Sequence, residues 1–160
     1  MAESKTNVMR TLEQKKIPYT AHSYPHGDEA VDGVTVARLT GQDPARVFKT
    51  LVTRGASKKL YVFVIPAAKE LDLKKAAKAA GEKSVAMLHV SEINALTGYV
   101  RGGCSPVGMK KLYPTLLDQS AADKETILVS AGKIGAQVEL RPGDLLGLVR
   151  GSYADITTEE

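Results

Sequence analysis

Two apolar segments joined by a short polar turn constrain the fold of this chain most strongly. Residues 47–53 suit a β-strand, and residues 60–65 are rich in the β-branched and aromatic side chains that favour buried strands. The residues between them, GASKK at 55–59, suit the turn of a hairpin. The two segments therefore predict a pair of adjacent antiparallel strands.

Short helical and strand patterns fill the rest of the 160 residues. Strands outnumber helices and do not alternate with them regularly, which favours an α+β fold over a doubly wound one. We therefore predict one domain, a mixed, mostly antiparallel sheet with packed helices. The expected helices are 7–16, capped by Thr6 or Asn7, 34–40, closed by Gly41, 72–80, capped by Asp72, 91–96, starting at Ser91, and 145–149. The further expected strands are 19–24, 85–88, 115–117, 126–130, 137–140 and 153–156.

Cysteine content and charge restrict the class of protein. Cys104 is alone, so an internal disulfide is excluded and a reducing compartment is favoured. The first residues have no apolar core of signal-peptide length, and no apolar run approaches the ~20 residues that span a bilayer. We predict a cytoplasmic protein with no membrane association. The net charge of +4 permits a nucleic-acid partner without demonstrating one.

The segment TGYVRGGCSPVG, residues 97–108, contains four glycines and one proline. Glycine loses more backbone entropy on folding than any other residue, so a segment with four glycines costs stability and suggests a role that requires them. One reason is that the amides of Gly102 and Gly103 approach an oxygen or a phosphate of a ligand. The alternative, which spacing alone favours, is a tight loop between two strands. The pattern matches neither a P-loop nor a dinucleotide-binding fingerprint.

Lys49 lies in an otherwise apolar or small run, VFKTLV at 47–52. In a strand it shares one face with Val47 and Leu51. A lysine there either reaches water or faces a cleft, where its charge would suit an anionic ligand. The alternative is an edge position, at which lysine prevents strand-to-strand aggregation. The residues alone leave these two interpretations equally open.

Other reactive residues carry weaker signals. A catalytic cysteine needs a base to lower its thiol pKa, and no histidine can be placed beside Cys104, so we predict a structural role for it. His22 and His26 have the spacing of zinc ligands on a helix, but Pro25 separates them and the segment looks extended, so no metal site is predicted.

Three lysine pairs, at 58–59, 74–75 and 110–111, invite a nucleic-acid interpretation. They could follow a phosphate backbone, although such pairs are more often ordinary solvated surface. The chain has two phenylalanines and no tryptophan, which weakens any case for binding single strands by base stacking.

Several segments together resemble one family. An opening helix is followed by KIPY and HSYPH, then by VFKTLV, LDLKKAAKA, TGYVRGGCSPVG, ETILVSAGK and VEL. In this order they resemble the YbaK-type deacylases, freestanding relatives of the editing domain inserted in bacterial prolyl-tRNA synthetases. The resemblance covers nearly the whole chain. It implies a single editing domain over residues 1–160 that deacylates an aminoacyl ester on tRNA.

The resemblance also implies site residues. The essential lysine of the family falls on Lys49, the expected catalytic residue, and neither a metal nor a cofactor is expected. Two residues depart from the family pattern: Cys104 stands where relatives usually have an aliphatic residue, and Gln137 where they often have an acid. The loop 26–33 also differs, so no pocket residue is assigned there. The residues expected to bind substrate are Tyr24, Thr50, Gly102, Gly103, Ser105, Pro106 and Ser130.

The subgroup that the chain resembles acts on Cys-tRNA(Pro). The implied reaction is substrate-assisted: the cysteinyl thiol attacks its own ester, giving a cyclic thioester and free tRNA. Lys49 would then supply a cation, and the amides of Gly102 and Gly103 would hold an oxygen. Mischarged tRNA(Pro) and prolyl-tRNA synthetase are the expected partners. Editing of another amino acid, such as Ala-tRNA(Pro), a non-catalytic tRNA- or synthetase-binding module, and an α+β domain with an unrelated ligand remain alternatives.

Overall fold

The computed structural model describes residues 5–25, 32–100 and 103–158. The helices are α1 (Asn7–Gln14), α2 (Gly33–Thr40), α3 (Leu73–Ala80), α4 (Val90–Thr97) and α5 (Pro142–Val149). The strands are β1 (Thr20–Ser23), β2 (Phe48–Gly55), β3 (Leu60–Pro66), β4 (Val85–Met87), β5 (Thr115–Asp118), β6 (Ile127–Ser130), β7 (Ala136–Leu140) and β8 (Ser152–Ala154). Two short 3₁₀ turns cover Pro44–Arg46 and Gln119–Ala121. The elements confirm the predicted α+β class.

The helix ends follow local capping chemistry. The hydroxyl of Thr6 accepts a hydrogen bond from the Met9 amide, and the carboxylate of Asp72 accepts from two amides in the first turn of α3. Gly41 adopts a left-handed conformation after α2, as predicted. Two predicted starts are wrong. His89, rather than Ser91, caps α4, and α5 begins at Pro142, three residues before the expected start.

The strands form two sheets where we predicted one. A five-stranded mixed sheet has the order β4-β2-β3-β5-β8, and a three-stranded antiparallel sheet has the order β1-β7-β6. The predicted hairpin is confirmed, because β2 and β3 pair antiparallel from Phe48 opposite Pro66 to Arg54 opposite Leu60. The parallel pairs, β3 with β5 and β5 with β8, need long connections that no local pattern reveals.

The five-stranded sheet buries both of its faces. On one face Phe48, Val52 and Val64 pack in the main core with residues of α1, α5 and the three-stranded sheet. On the other face Phe63 and Ile65 pack in a second cluster that includes residues of α3. Strand alternation sends successive side chains of β2 and β3 into these two clusters.

The start of β2 lies where the two sheets meet. Val47 forms an isolated bridge with Leu128 of β6, which joins the sheets at this point. On its other side β2 pairs with β4 only from Thr53 to Gly55. The first residues of β2, including Lys49, therefore lie beside a strand edge that β4 does not cover. None of the helices in the described part of the chain has the length and apolar character that a membrane-spanning segment requires.

Candidate active site

A cleft of about 490 Å³ opens at the junction of the two sheets. The start of β2 forms one wall, the neighbouring ends of β6 and β7 form another, and the first turn of α2 closes a third side. Of the site residues expected from the sequence, the cleft brings together Tyr24, Lys49, Thr50 and Ser130. These residues are far apart in the sequence, so their convergence in one concave site is a property of the fold.

Lys49 is half-buried and lines this cleft. It lies opposite Ile65 of β3, in the part of β2 that β4 does not cover. Among the described residues no carboxylate lies within ion-pairing distance of its ammonium group. Because Lys49 lines a cleft and has no acidic partner among the described residues, we favour a cation that serves a ligand over a lysine that only protects a sheet edge.

Two buried polar atoms in the cleft wall have no hydrogen-bond partner within the described part of the chain. They are Oγ1 of Thr50 and Oε1 of Gln137. An unsatisfied buried polar atom costs roughly 1–3 kcal/mol, so a pair of them at one site indicates groups that a ligand or water satisfies. Gln137 is only 6% exposed and lies opposite Ser130 in the β6–β7 register. Sequence reasoning set Gln137 aside because its residue type differs from that of relatives, but its pairing with Ser130 puts it in the wall.

Hydrogen bonds with backbone groups hold Tyr24 and Ser130, the other two expected site residues that line the cleft. Tyr24 is 7% exposed, and its amide donates a 3.0 Å hydrogen bond to the carbonyl of Gly135. Ser130 ends β6, and its Oγ accepts a 3.1 Å hydrogen bond from the amide of Gly132. The backbone of Tyr24 and the hydroxyl of Ser130 are therefore held by bonds within the protein, which contributes to the preorganisation that a binding site needs.

Gly103 fills a packing role that the sequence did not reveal. Its amide donates a 3.0 Å hydrogen bond to the carbonyl of Val100, so the turn already uses the N–H that we expected to hold a substrate oxygen. A Cβ at this position would lie 2.9 Å from Cα of Lys133, which only a backbone shift would relieve. Glycine is thus required for close approach of two backbone segments. Gly102 lies outside the described residues.

Ser105 and Pro106 are buried outside the cleft wall. The Oγ of Ser105 accepts a 3.2 Å hydrogen bond from the amide of Val107, and the residue is fully buried. Pro106 lines a separate groove together with Val107 and Tyr113. In the described structure these two residues shape the glycine-rich segment, and from 103–108 only Cys104 reaches the cleft.

Burial raises the pKa of the Cys104 thiol to about 11, and a hydrogen bond with Thr97 only partly opposes this rise. At neutral pH the thiol is therefore protonated. Because the thiolate is the nucleophilic form of cysteine, Cys104 lacks the character of a catalytic nucleophile. This result agrees with the structural role expected from the sequence.

The start of α2 contributes Asp32, Gly33 and Val36 to the cleft, and none of them was expected there from the sequence. The carboxylate of Asp32 caps the helix by accepting from the amide and the hydroxyl of Thr35, and these bonds lower its pKa. A Cβ on Gly33 would lie 2.1 Å from Cβ of Ala67, so glycine allows α2 to pack against the segment after β3. An Asp-Gly pair before an apolar helical pattern is the signal that could have placed them.

The residues of the cleft offer no evident metal site. Across 5–25, 32–100 and 103–158, no group of three His, Cys, Asp or Glu side chains has the arrangement of a metal site. His26, the partner of His22 in the spacing considered above, lies outside the described residues.

Residues 28–148 match the model of the aminoacyl-tRNA editing domain family, and the chain belongs to this family. A curated relative from Enterococcus faecalis, EbsC, is named as a candidate Cys-tRNA(Pro)/Cys-tRNA(Cys) deacylase. It is 49% identical over 158 residues, which cover 99% of this chain and 96% of the relative.

Solved structures share the fold over nearly the whole chain. A candidate trans-editing enzyme for prolyl-tRNA synthetase has a TM-score of 0.81 at 24% identity, with 97% of this chain and 99% of that chain covered. A structure from work on computational grafting of epitopes onto scaffold proteins has a TM-score of 0.84 at 26% identity, with 96% of each chain covered.

Proposed function

We propose that this protein removes cysteine from mischarged Cys-tRNA(Pro), with Lys49 as the catalytic residue. The observation that carries the proposal is a half-buried lysine, without an acidic partner among the described residues, in a cleft of an editing-domain fold. The name of the relative EbsC supports the choice of cysteine as the amino acid.

The need for such an activity is physical. Cysteine and proline are similar in size, and a small apolar pocket discriminates between such substrates by only ~1–3 kcal/mol. A synthetase that selects proline therefore attaches cysteine at times. A second site that hydrolyses or cleaves the wrong ester restores accuracy.

The reaction that suits this site uses the thiol of the substrate as nucleophile. The cysteinyl sulfur attacks the carbonyl carbon of its own ester, and the bond from that carbon to the ribose oxygen breaks. The thiol proton ends on the departing ribose oxygen, which gives a cyclic thioester and free tRNA. No nucleophile of the protein is required, in keeping with the high pKa of the Cys104 thiol.

Lys49 contributes by charge in this scheme. Negative charge develops on the ester oxygens as the sulfur attacks, and a fixed ammonium group in a partly desolvated cleft stabilises it. Because the Gly103 amide is bonded to Val100, we do not assign it as an oxygen donor and assign it to packing. A donor role for Gly102 remains a proposal.

The remaining cleft residues would position the aminoacyl end. Thr50 and Gln137 present unpartnered oxygen atoms, which suit the donors of the substrate, such as its amino group or a ribose hydroxyl. Tyr24 and Ser130 complete the wall that surrounds the small side chain. Ser105 and Pro106 would act indirectly, by holding the segment that carries Cys104.

Two further proposals concern the setting of this activity. We place the protein in the cytoplasm, where tRNA is charged, and we propose prolyl-tRNA synthetase as a partner that hands over the mischarged tRNA. A pull-down with that enzyme, with and without tRNA, should recover the protein. Absence from both samples would refute the partnership without affecting the deacylase assignment.

The experiment that tests the proposal compares Cys-tRNA(Pro) with Ala-tRNA(Pro) as substrates at excess enzyme. We expect fast single-turnover loss of cysteine and slow loss of alanine, because alanine has no thiol to attack its own ester. Faster loss of alanine than of cysteine would show that Ala-tRNA(Pro) is the preferred substrate. Binding of the tRNA without loss of either amino acid would indicate a non-catalytic tRNA-binding module.

A further inference from the structure

A second groove, of about 430 Å³, lies between α3 and β4. We call it the lysine groove, and its lining residues are Leu73, Lys74, Ala77, Lys78, Glu82, Lys83, Ser84 and Val85. The three lysines are exposed around an apolar floor that includes the buried Val85. Nothing in the chemistry proposed for the cleft uses these residues.

The three lysines of the groove are unpaired in the described structure. No described residue forms an ion pair or a hydrogen bond with the ammonium group of Lys74, Lys78 or Lys83. Lys74 and Lys78 are four residues apart on α3 and therefore project from the same side of the helix. Three cations on one groove rim repel one another unless an anion binds between them.

Among the described residues, the acidic side chains in and around the groove form no ion pair with its three lysines. The carboxylate of Glu82 accepts hydrogen bonds from Ser57 and from the hydroxyl of Tyr61, and these bonds lower its pKa. At the start of α3, Asp72 caps the helix, while Asp155 pairs with Lys75 at 3.2 Å. The hairpin turn adds Lys58 and Lys59, both exposed, next to Ser57. Glu82 keeps its negative charge, but Lys74, Lys78 and Lys83 outnumber it in the lining, so the groove has a net positive charge.

The position of the groove relates it to the candidate active site. Gly55, at the end of β2, lies close to Glu82, because a Cβ on Gly55 would meet the side chain of Glu82. Lys49 lies six residues earlier on β2, about 20 Å away at ~3.3 Å per residue. Leu51, which shares its strand face with Lys49, packs on the same cluster as α3. The groove and Lys49 thus belong to the same side of the five-stranded sheet.

We propose that the lysine groove binds the phosphate backbone of the tRNA whose aminoacyl end occupies the cleft. This inference rests on the proposed deacylase function and adds to it the surface that holds the RNA. Unpaired lysines on a rim suit phosphates, which give affinity and position without reading sequence. Both phenylalanines of the chain, Phe48 and Phe63, are buried, so neither can stack on a base.

The test removes the three rim charges and measures deacylation of Cys-tRNA(Pro) at several salt concentrations. The variant combines Lys74→Ala, Lys78→Ala and Lys83→Ala. We expect KM to rise about 10- to 100-fold at low salt with kcat unchanged. The slope of log(kcat/KM) against log[salt] should become shallower by about 2, since each phosphate contact contributes roughly 0.7–0.9 to it. Equal KM values and slopes for variant and wild type would overturn the inference.

A matched control removes the same charge from exposed lysines elsewhere whose ammonium groups are likewise unpaired in the described structure: Lys15→Ala, Lys16→Ala and Lys111→Ala. We expect this control to keep the wild-type KM and slope. An equal loss in both triple variants would show an effect of net charge alone and would refute a specific groove.

Two further measurements separate the groove from the proposed function. A cysteinylated CCA trinucleotide has no stem to reach the groove, so the groove variant should cleave it at the wild-type rate; a slower rate would mean that the lysines act through the fold. Binding of uncharged tRNA(Pro), measured by fluorescence anisotropy, tests whether the lysine groove binds tRNA even if no deacylation occurs. The groove variant should bind more weakly than the control triple variant, and equal affinity would refute the inference.

Discussion

Glu139 connects four segments around the candidate active site, and its removal gives a stability prediction with a defined pH dependence. Its carboxylate accepts a 2.6 Å hydrogen bond from Thr126, just before β6, and forms a 2.6 Å ion pair with Arg46, just before β2. It also lies 2.8 Å from the ring of His22 on β1. The hydrogen bond from Thr126, with those from His22 and Arg46, lowers the pKa of Glu139 from 4.5 to about 2.

The size of the effect follows from this pKa. A drop in the pKa from 4.5 to about 2 corresponds to about 3 kcal/mol of folding free energy, at ~1.4 kcal/mol per pKa unit. A fifth of the side chain is exposed, so solvent screening reduces this to about 2 kcal/mol. We expect Glu139→Gln to lower the free energy of unfolding by about that amount at pH 7.

The sign of the pH dependence is fixed by the direction of the pKa change. A carboxyl with a depressed pKa in the folded state stabilises fully above its unfolded pKa and loses this contribution as pH falls through the folded value. The difference between wild type and Glu139→Gln should therefore narrow below pH 4.5 and reach less than half of its pH 7 value at pH 3.

Urea unfolding at a series of pH values measures this difference. Glu125→Gln is the control, because Glu125 is exposed and has no hydrogen-bond or ion-pair partner in the described structure. Its effect should stay within about 0.5 kcal/mol at every pH. A Glu139→Gln difference that is absent at pH 7, or that stays constant down to pH 3, would refute the reasoning.

Four further variants test Cys104 and Gln137 in the cleft and the packing of Gly103. Cys104→Ala should keep most deacylase activity, because the thiol is protonated at neutral pH; complete loss of activity would show a catalytic role. Gly103→Ala should lower the free energy of unfolding by about 1–3 kcal/mol, since its Cβ would meet the backbone of Lys133, whereas Gly147→Ala on an open helix face should stabilise by about 0.5–1 kcal/mol. Denaturant midpoints compare the two, and equal effects would contradict the packing argument. Gln137→Leu should raise KM for Cys-tRNA(Pro) several-fold, because the leucine offers no acceptor to the substrate; an unchanged KM would remove Gln137 from the site.

Local chemistry made much of the fold predictable. The turn at 55–59 and the caps Thr6, Asp72 and Gly41 depend on residues a few positions apart, and each lies where the pattern placed it. The split into two sheets was not predictable in this way. It depends on contacts such as the pairing of β1 with β7, which joins residues more than a hundred positions apart.

The same distinction applies to the candidate site. Lys49 stood out because a charge in an apolar strand is costly, and the structure puts it in the cleft. The resemblance supplied Tyr24, Thr50 and Ser130. Gln137 was missed because its unpartnered oxygen appears only when β6 and β7 are paired. Gly103 was given an amide role because its packing against Lys133 depends on the fold of a segment thirty residues away.

The central claim is that Lys49 supplies the charge that makes deacylation possible, and one measurement tests it directly. The single-turnover rate of cysteine release from Cys-tRNA(Pro) is compared for wild type, Lys49→Ala and the exposed control Lys111→Ala, all with matching circular dichroism spectra. We expect Lys49→Ala to lose at least about 100-fold in rate, the loss typical of a removed charge-stabilising group, and Lys111→Ala to match the wild type. A folded Lys49→Ala protein that releases cysteine at the wild-type rate would contradict the account.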